Sequence, residues 1–511
     1  MGWAGRTTIG ARRAGILASL AVLSVAVMAG HAARGEDAAA AAKAPPNFLV
    51  VLVDDQALNT FKRAYMPRTF DRIVDRGTRF RSGVAAPPLC CPDRAGILTG
   101  QYPHNHGVFT NRPGYASLRD PNNTLPVWLQ RAGYHTGFLG KYLNGYTDLQ
   151  GATPAAGFDD WFGFMGFPGY YNYDVSANGK LRHFGGHRRD YSTDVLTRRA
   201  KRFVRKSSHK GDPFFLWLAY EAPHGWRSPI SPCRRAASPG PPGRAAVRRV
   251  QHIPLPRPPS FNERDVSDKP AAIRNLPRLD REAVTRIKKN WHCALAAVAE
   301  LDKGVGRVMK ELKRDGETRR TIVVYVSDNG NFFGEHRRET GKADIYEPAL
   351  NVPFAVKVPA GYRNGSRVAE RHAVVSNQDI AATLIDYAER YLGDVRTCAG
   401  PGHCRRMDGR SFAPLVGGPG EWPRDRGVLA EISSGTHEYE AIRTPRYAYS
   451  ELVTGERELY DLRTDPYELR NLADAPGIAP VQSQLAARLA LLRRCSGVQG
   501  RDPRSARPFC E

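Results

Sequence analysis

The sequence predicts an α/β protein in which a large, mostly parallel β-sheet lies between helices and a small antiparallel sheet follows. Three observations predict it. Asn47–Val53 (NFLVVLV), Phe214–Leu218 and Ile322–Val326 are unbroken apolar runs, partly β-branched, the pattern of central strands covered on both faces. Between the last two, Val284, Ile287, Trp291, Leu295, Val298, Leu301, Val305, Val308 and Leu312 recur at three- and four-residue steps, the period of one long amphipathic helix. Strands alternating with helices build a sheet sandwich. The C-terminal part changes character: Tyr439–Arg443, Tyr447–Leu452 and Glu458–Leu462 are short strand-like pieces split by turns at Thr444-Pro445 and Thr454-Gly455, and a helix over Val481–Arg494 closes the chain. Gly and Pro accumulate over 390–425, which sets the expected division into a main domain at 46–400 and a small one at 425–495.

The 511 residues, 41% hydrophobic, can bury a sizeable core. The net charge of +24 fits either contact with polyanions or an Arg-rich composition. No paired CxxC, aromatic RNA signature or basic heptad region accompanies it, which argues against a nucleic-acid partner. Arg6, Arg12 and Arg13, the apolar run Ala14–Ala29 and the small residues Ala32-Ala33 form the three parts of a signal peptide over residues 1–33. The run is short for a membrane anchor, and nothing later is long and apolar enough for a stable span. The expected location is therefore exported: extracellular, periplasmic or cell-envelope. Arg12-Arg13 fits twin-arginine export in an incomplete motif.

Export permits disulfides. Of eight cysteines, Cys398/Cys404 and Cys495/Cys510 read as local bridges, and Cys293 as a buried residue on the apolar side of the long helix. Residues 226–258 hold seven Arg, many Pro and no acid. A basic loop touching an anionic substrate is one reading; a variable surface loop, or an altered reading frame, is the plainer one.

Asp54-Asp55 follows the first strand and Asp328-Asn329 the third, where open parallel sheets place their ligands. Their hard oxygen donors suit Ca²⁺, with Mg²⁺ as the alternative, rather than zinc. Each pair alone reads as ordinary turn residues. The segment Leu89-Cys90-Cys91-Pro92-Asp93-Arg94-Ala95-Gly96-Ile97-Leu98-Thr99-Gly100 changes that balance. Adjacent cysteines rarely bond each other and have no metal-ligand spacing.

This segment resembles the type I sulfatase signature, Cys-x-Pro-x-Arg followed by a short helix and Leu-Thr-Gly. The resemblance runs from about Pro46 to Leu472. Gly140-Lys141-Tyr142-Leu143-Asn144 resembles the family's first sulfate-binding lysine, and Ala222-Pro223-His224 its active-site histidine. Ser327–Gly330, with Gly341-Lys342, resembles its second metal strand and second lysine, and LYDLRTDPYELRNLA at 459–473 its C-terminal subdomain. Two departures stand out: Asp93 where the family often has Ser, and Leu143 where many arylsulfatases have His, with Asn144 as the substitute. LCCPDR, YPHNHGV, GKYLNGY, YYNYDVSANGK and DYSTDVL resemble N-acetylglucosamine-6-sulfatases.

The resemblance implies an alkaline phosphatase-like fold and a sulfuric ester hydrolase. Cys90 would be converted to formylglycine by a formylglycine-generating enzyme. Its hydrated aldehyde would attack sulfur beside a metal held by Asp54, Asp55, residue 90, Asp328 and Asn329. Arg94, Lys141 and Lys342 would surround the sulfate with positive charge. His224 or Lys342 would protonate the departing alcohol, and Lys141, Asn144, His224 and Lys342 would contact substrate. An unmodified Cys lacks the second hydroxyl that expels sulfate. His104 and His106 read as structural or substrate-rim residues. The implied substrate is a sulfated sugar or aryl sulfate ester, with 6-O-sulfated N-acetylglucosamine foremost. The alternatives are a generalist arylsulfatase, a phosphate or phosphonate monoester hydrolase on the same scaffold, and an inactive basic glycan-binding protein.

Overall fold

The computed structural model describes residues 1, 44–167, 169–225, 233, 240, 243–395, 397, 404–418, 420–433, 438–503 and 506–511. The expected signal segment, Cys398 and most of 226–243 lie outside them. No helix among the described residues is long and apolar enough to cross a membrane.

The strands of the large sheet are β1 (Asn47–Val53), β2 (Thr78–Val84), β3 (His135–Gly140), β4 (Asp160–Phe164), β5 (Tyr173–Ala177), β6 (Lys180–Phe184), β7 (Phe214–Ala219), β8 (Thr321–Ser327), β9 (Phe354–Lys357) and β10 (Glu370–Ser376). Their order is β10-β2-β9-β8-β1-β7-β3-β4-β5-β6. The central run β8-β1-β7-β3-β4 is parallel, whereas β9, β5 and β6 pair antiparallel toward the edges.

The apolar runs explain this arrangement. Side chains alternate across a strand, so a strand buried on both faces must be apolar throughout. In β1, Phe48, Val50 and Leu52 enter one core while Leu49, Val51 and Val53 enter the other. Strand β7 divides the same way, with Phe215 and Trp217 on one side and Phe214, Leu216 and Leu218 on the other. The helices α1 (Cys90–Thr99) and α4 (Asp379–Leu392) cover the first face; α2 (Ser192–Lys210) and α3 (Arg281–Arg314) cover the second. The long amphipathic helix of the sequence reading is α3, with Asp280 accepting from Ala283 N at 2.7 Å as its N-terminal cap.

A four-stranded antiparallel sheet follows in the order β11 (Val428–Ile432), β12 (Tyr439–Arg443), β13 (Tyr447–Leu452), β14 (Arg457–Asp461), with α5 (Ala479–Leu492) packed on it. Three of these strands match the expected pieces; β11 was not foreseen. Arg426 and Asp379, both fully buried, pair twice (2.5 and 2.8 Å) where the small sheet meets α4.

Cys293 is buried on the apolar side of α3, as expected, but it also has a role that was not foreseen. It is disulfide-bonded to Cys233, 60 residues earlier. The residues after 243 are not a bare surface loop either: Ala246, Val247, Val250 and Leu255 are buried against Ile287, Trp291 and Cys293 of α3. Cys495 pairs with Cys510 as expected, and Cys404 is disulfide-bonded.

Glu458 of β14 is buried against the core that the small sheet shares with the edge of the large one. Its Oε1 accepts from Tyr346 (2.7 Å) and Tyr460 (2.6 Å). Burial outweighs both bonds and raises its carboxyl to about 7. A carboxyl raised on folding binds its proton more tightly in the native state. Its contribution is full below about pH 4.5 and is lost as pH rises through 7. The shift is worth on the order of 3 kcal/mol. We therefore expect stability against urea to fall between pH 5 and pH 8, and Glu458→Gln to flatten that fall by most of this amount. A slope unchanged by the substitution contradicts the assignment.

Candidate active site

Four neighbouring parallel strands, β8-β1-β7-β3, end on one edge of the sheet. The chain leaving each carries polar chemistry into one place: Asp54 and Asp55 after β1, Lys141 after β3, Glu221 and His224 after β7, Asp328 and Asn329 after β8. Cys90 joins them as the first residue of α1, at the helix end that favours anions. Lys342 enters from the loop after β8.

Two backbone features allow the convergence. Consecutive residues of a strand point apart, but Asp55 has φ of 61°, a left-handed conformation that Asp tolerates. Gly140 has φ of 116°, and a Cβ there would lie 1.8 Å from the Ala219 carbonyl oxygen. Only glycine lets the chain turn so closely against β7 and carry Lys141 inward.

Fully buried Arg94 braces the acids. Its Nε donates to Asp328 Oδ2 (2.7 Å), Nη2 to Asp54 Oδ2 (3.2 Å) and Nη1 to the Lys141 carbonyl (2.5 Å). Lys141 Nζ pairs with Asp54 and lies 3.7 Å from Cys90 Sγ. Lys342 Nζ pairs with Asp55 and lies 2.7 Å from the same sulfur. Asn329 Nδ2 donates to Asp55 Oδ1 (2.6 Å), and its own Oδ1 is buried without a partner. Ligand atoms of Asp54, Asp55, Cys90 and His224 all lie within 4.8 Å of one another. Asp328, occupied by Arg94 and by Asp55 N at 3.2 Å, stands beside this group.

Burial alone would raise the Asp54 carboxyl, but Lys141, His224, Arg94 and Lys342 hold it well below its usual range. Burial and the Asp54 charge push Asp328 the other way. Of the two acids sharing Arg94, Asp54 is the more firmly ionised. Burial, then Asp54, push the Cys90 thiol well above its ordinary value, so Lys141 and Lys342 do not make it a thiolate. Burial would lower Lys342; Asp55, Cys90 and Asp54 raise it well above the normal lysine value. For His224, burial is outweighed mainly by Asp55, and the imidazolium is favoured.

Cys91 faces the core, where burial raises its thiol to about 12. Asp93 is also buried; Asn377 Nδ2 donates to its Oδ2 at 2.7 Å, and burial raises it well above the normal carboxylate value. Leu143 packs in the same core, and Asn144 lines the cleft beside Lys141. His104 bridges Glu431 Oε1 (2.7 Å) and the Cys495 carbonyl (2.9 Å), and His106 Nδ1 accepts from Val108 N (3.0 Å). Both are structural. Glu221 was missed, although its signal, an acid just past an unbroken apolar strand, is the one that marked Asp54.

A cleft of about 1000 Å³ opens beside Lys141, walled by Asn111, Arg112, Asn144, Tyr146, Asp148 and Phe167. The ring of Phe167, 50% exposed, lies 5.7 Å from Lys141 Nζ and 5.8 Å from the His224 ring. A larger cavity of about 1390 Å³, around Arg405 and Arg410, contains none of these site residues.

A family model described as Sulfatase matches residues 46–390, and one described as N-sulphoglucosamine sulphohydrolase, C-terminal, matches 334–495. The chain is 31% identical to the extracellular sulfatase SULF-1 homolog of Drosophila melanogaster over 76% of its own length and 33% of that protein's. It thus spans a third of that relative. It is 28% identical to the N-acetylglucosamine-6-sulfatase of Capra hircus, over 92% of this chain and 87% of the other. Among solved structures, a complex with the substrate D-glucosamine-2-N,6-O-disulfate shares the fold with TM-score 0.67 and 23% identity, covering 88% of this chain and 97% of the other. A phosphonate monoester hydrolase from Silicibacter pomeroyi shares it with TM-score 0.62 and 21% identity, covering 87% and 91%.

Proposed function

We propose, from the premise that this chain belongs to the sulfatase family, that it hydrolyses sulfate esters of amino sugars, with 6-O-sulfated N-acetylglucosamine as the preferred unit. The observation that carries this is the position of Cys90. It lies at a helix N-terminus, between two lysines and against an ionised aspartate, in the family's signature. The signal segment and the extracellular relatives support export.

Converted to formylglycine by a generating enzyme, residue 90 would supply two geminal hydroxyls, one to attack sulfur and one to drive release of sulfate. A Ca²⁺ or Mg²⁺ ion held by Asp54, Asp55, residue 90, Asp328 and Asn329 would acidify the attacking hydroxyl. The donor types suit a hard ion: Asp54 and Asp55 lie together with Cys90, and Asp328 and Asn329 stand beside them, each bonded to Asp55. Lys141 and Lys342 hold positive charge against the sulfate oxygens as charge develops. Arg94 holds Asp54 and Asp328 in place. His224 hands a proton to the departing sugar oxygen, a poor leaving group that needs one. Asn144 and the Phe167 ring orient the sugar, since aromatic faces stack on sugar rings.

Two substrates test this. The kcat/KM for N-acetylglucosamine 6-sulfate should exceed that for 4-nitrophenyl sulfate, and Phe167→Ala should raise the sugar's KM by roughly 3- to 10-fold, the value of one aromatic contact. A preference for the aryl ester supports a generalist arylsulfatase instead. Turnover of a phosphonate monoester above both sulfates overturns the sulfatase reading.

A further inference from the structure

We infer that Glu221 is a positioning residue. It takes the hydrogen of His224 Nδ1 and thereby fixes Nε2 as the imidazole nitrogen that faces the reacting atoms. The inference rests on the reading of His224 as the group beside the departing oxygen.

Glu221 lies just past β7, 1% exposed, and among the described residues neither of its carboxylate oxygens has a hydrogen-bond donor. An ionised carboxylate buried without donors costs several kcal/mol, so a residue of this kind calls for a specific partner. His224 Nδ1 is placed to supply it: it lies 3.2 Å from Glu221 Oε1, within ion-pair reach, and among the described residues it makes no hydrogen bond elsewhere. Two further bonds fix the ring's mount: His224 N donates to the Glu221 carbonyl (2.8 Å), and the Tyr170 hydroxyl donates to the His224 carbonyl (2.9 Å). The other nitrogen, Nε2, lies 3.7 Å from Asp55 Oδ2, on the side of Cys90 and Lys342.

An imidazole with one nitrogen committed to a carboxylate presents the other in a defined tautomer and orientation. As the bond from sulfur to the sugar oxygen breaks, its electron pair stays on that oxygen. The hydrogen on Nε2 transfers there, and Nδ1–H stays with Glu221.

The test pairs substrates that differ in their need for that hydrogen. Glu221→Gln keeps the shape and removes the charge. It should lower kcat on N-acetylglucosamine 6-sulfate by roughly 10- to 100-fold with little change in KM, and lower it far less on 4-nitrophenyl sulfate, whose leaving group needs no proton. The double variant Glu221→Gln/His224→Ala should be no slower than His224→Ala alone, because one residue acts through the other. Glu221→Asp should recover part of the loss. Equal losses on both substrates, or multiplicative losses in the double variant, overturn the inference. Nitrogen-15 NMR of the His224 ring, assigned by difference with His224→Ala, reads the same point without turnover. A hydrogen on Nδ1 that Glu221→Gln displaces supports the role even if neither sulfate is hydrolysed, an outcome that counts against the substrate reading alone. A ring spectrum indifferent to residue 221 overturns it.

Discussion

Cys90→Ala is expected to reduce kcat/KM for any sulfate ester by a factor of roughly 10⁴ or more, the scale seen when a covalent nucleophile is removed. The fold should survive, because alanine fits a buried helix start and a thiol is only a weak donor to Asp54. Cys91→Ala should retain most activity, since that thiol faces the core. Mass measurement of the peptide carrying residue 90 supplies the chemical check: an active preparation should show the aldehyde, lighter than the thiol. Full activity with an intact thiol at 90, or dependence on Cys91 instead, would falsify the assignment.

The second large effect concerns Asp54. Asp54→Asn removes a charge that Lys141 and Arg94 both contact. Activity should fall by roughly 10³-fold, in line with loss of a group that stabilises charge in the transition state. Stability should fall by about 3 kcal/mol, because two buried cations lose a shared partner. Chelator treatment of the unaltered protein should produce a comparable loss of activity, reversed by Ca²⁺ or Mg²⁺, and elemental analysis should find one such ion per chain. Zinc bound tightly in pairs would point to the phosphatase alternative.

Much of this arrangement was legible in the sequence. Strands β1, β7 and β8 must be apolar on both faces, and the acids that follow them stand out against that background. The antiparallel edge was not legible: β5 is short and interrupted by Asp174 and Ser176, and β6 is mostly exposed and polar, so neither has the continuous run that marks a central strand. The Cys233–Cys293 bridge was hidden because 60 residues separate its ends and only packing on α3 brings them together. The division of labour between Arg94 and the lysines was equally invisible. A motif gives spacing, whereas the turning of Arg94 toward Asp54, Asp328 and the Lys141 carbonyl is a matter of burial.

All ten residues of α1 are buried. Any enzyme that reads this segment as a peptide must grip its backbone and flanking side chains, and in the folded protein these are packed beneath other elements. If residue 90 is converted as proposed, the conversion would therefore belong to the life of the nascent chain, in the interval between its emergence and the docking of α1 against the sheet. Folding would then act as a deadline: a molecule that closed too early would keep its thiol, correctly shaped but silent.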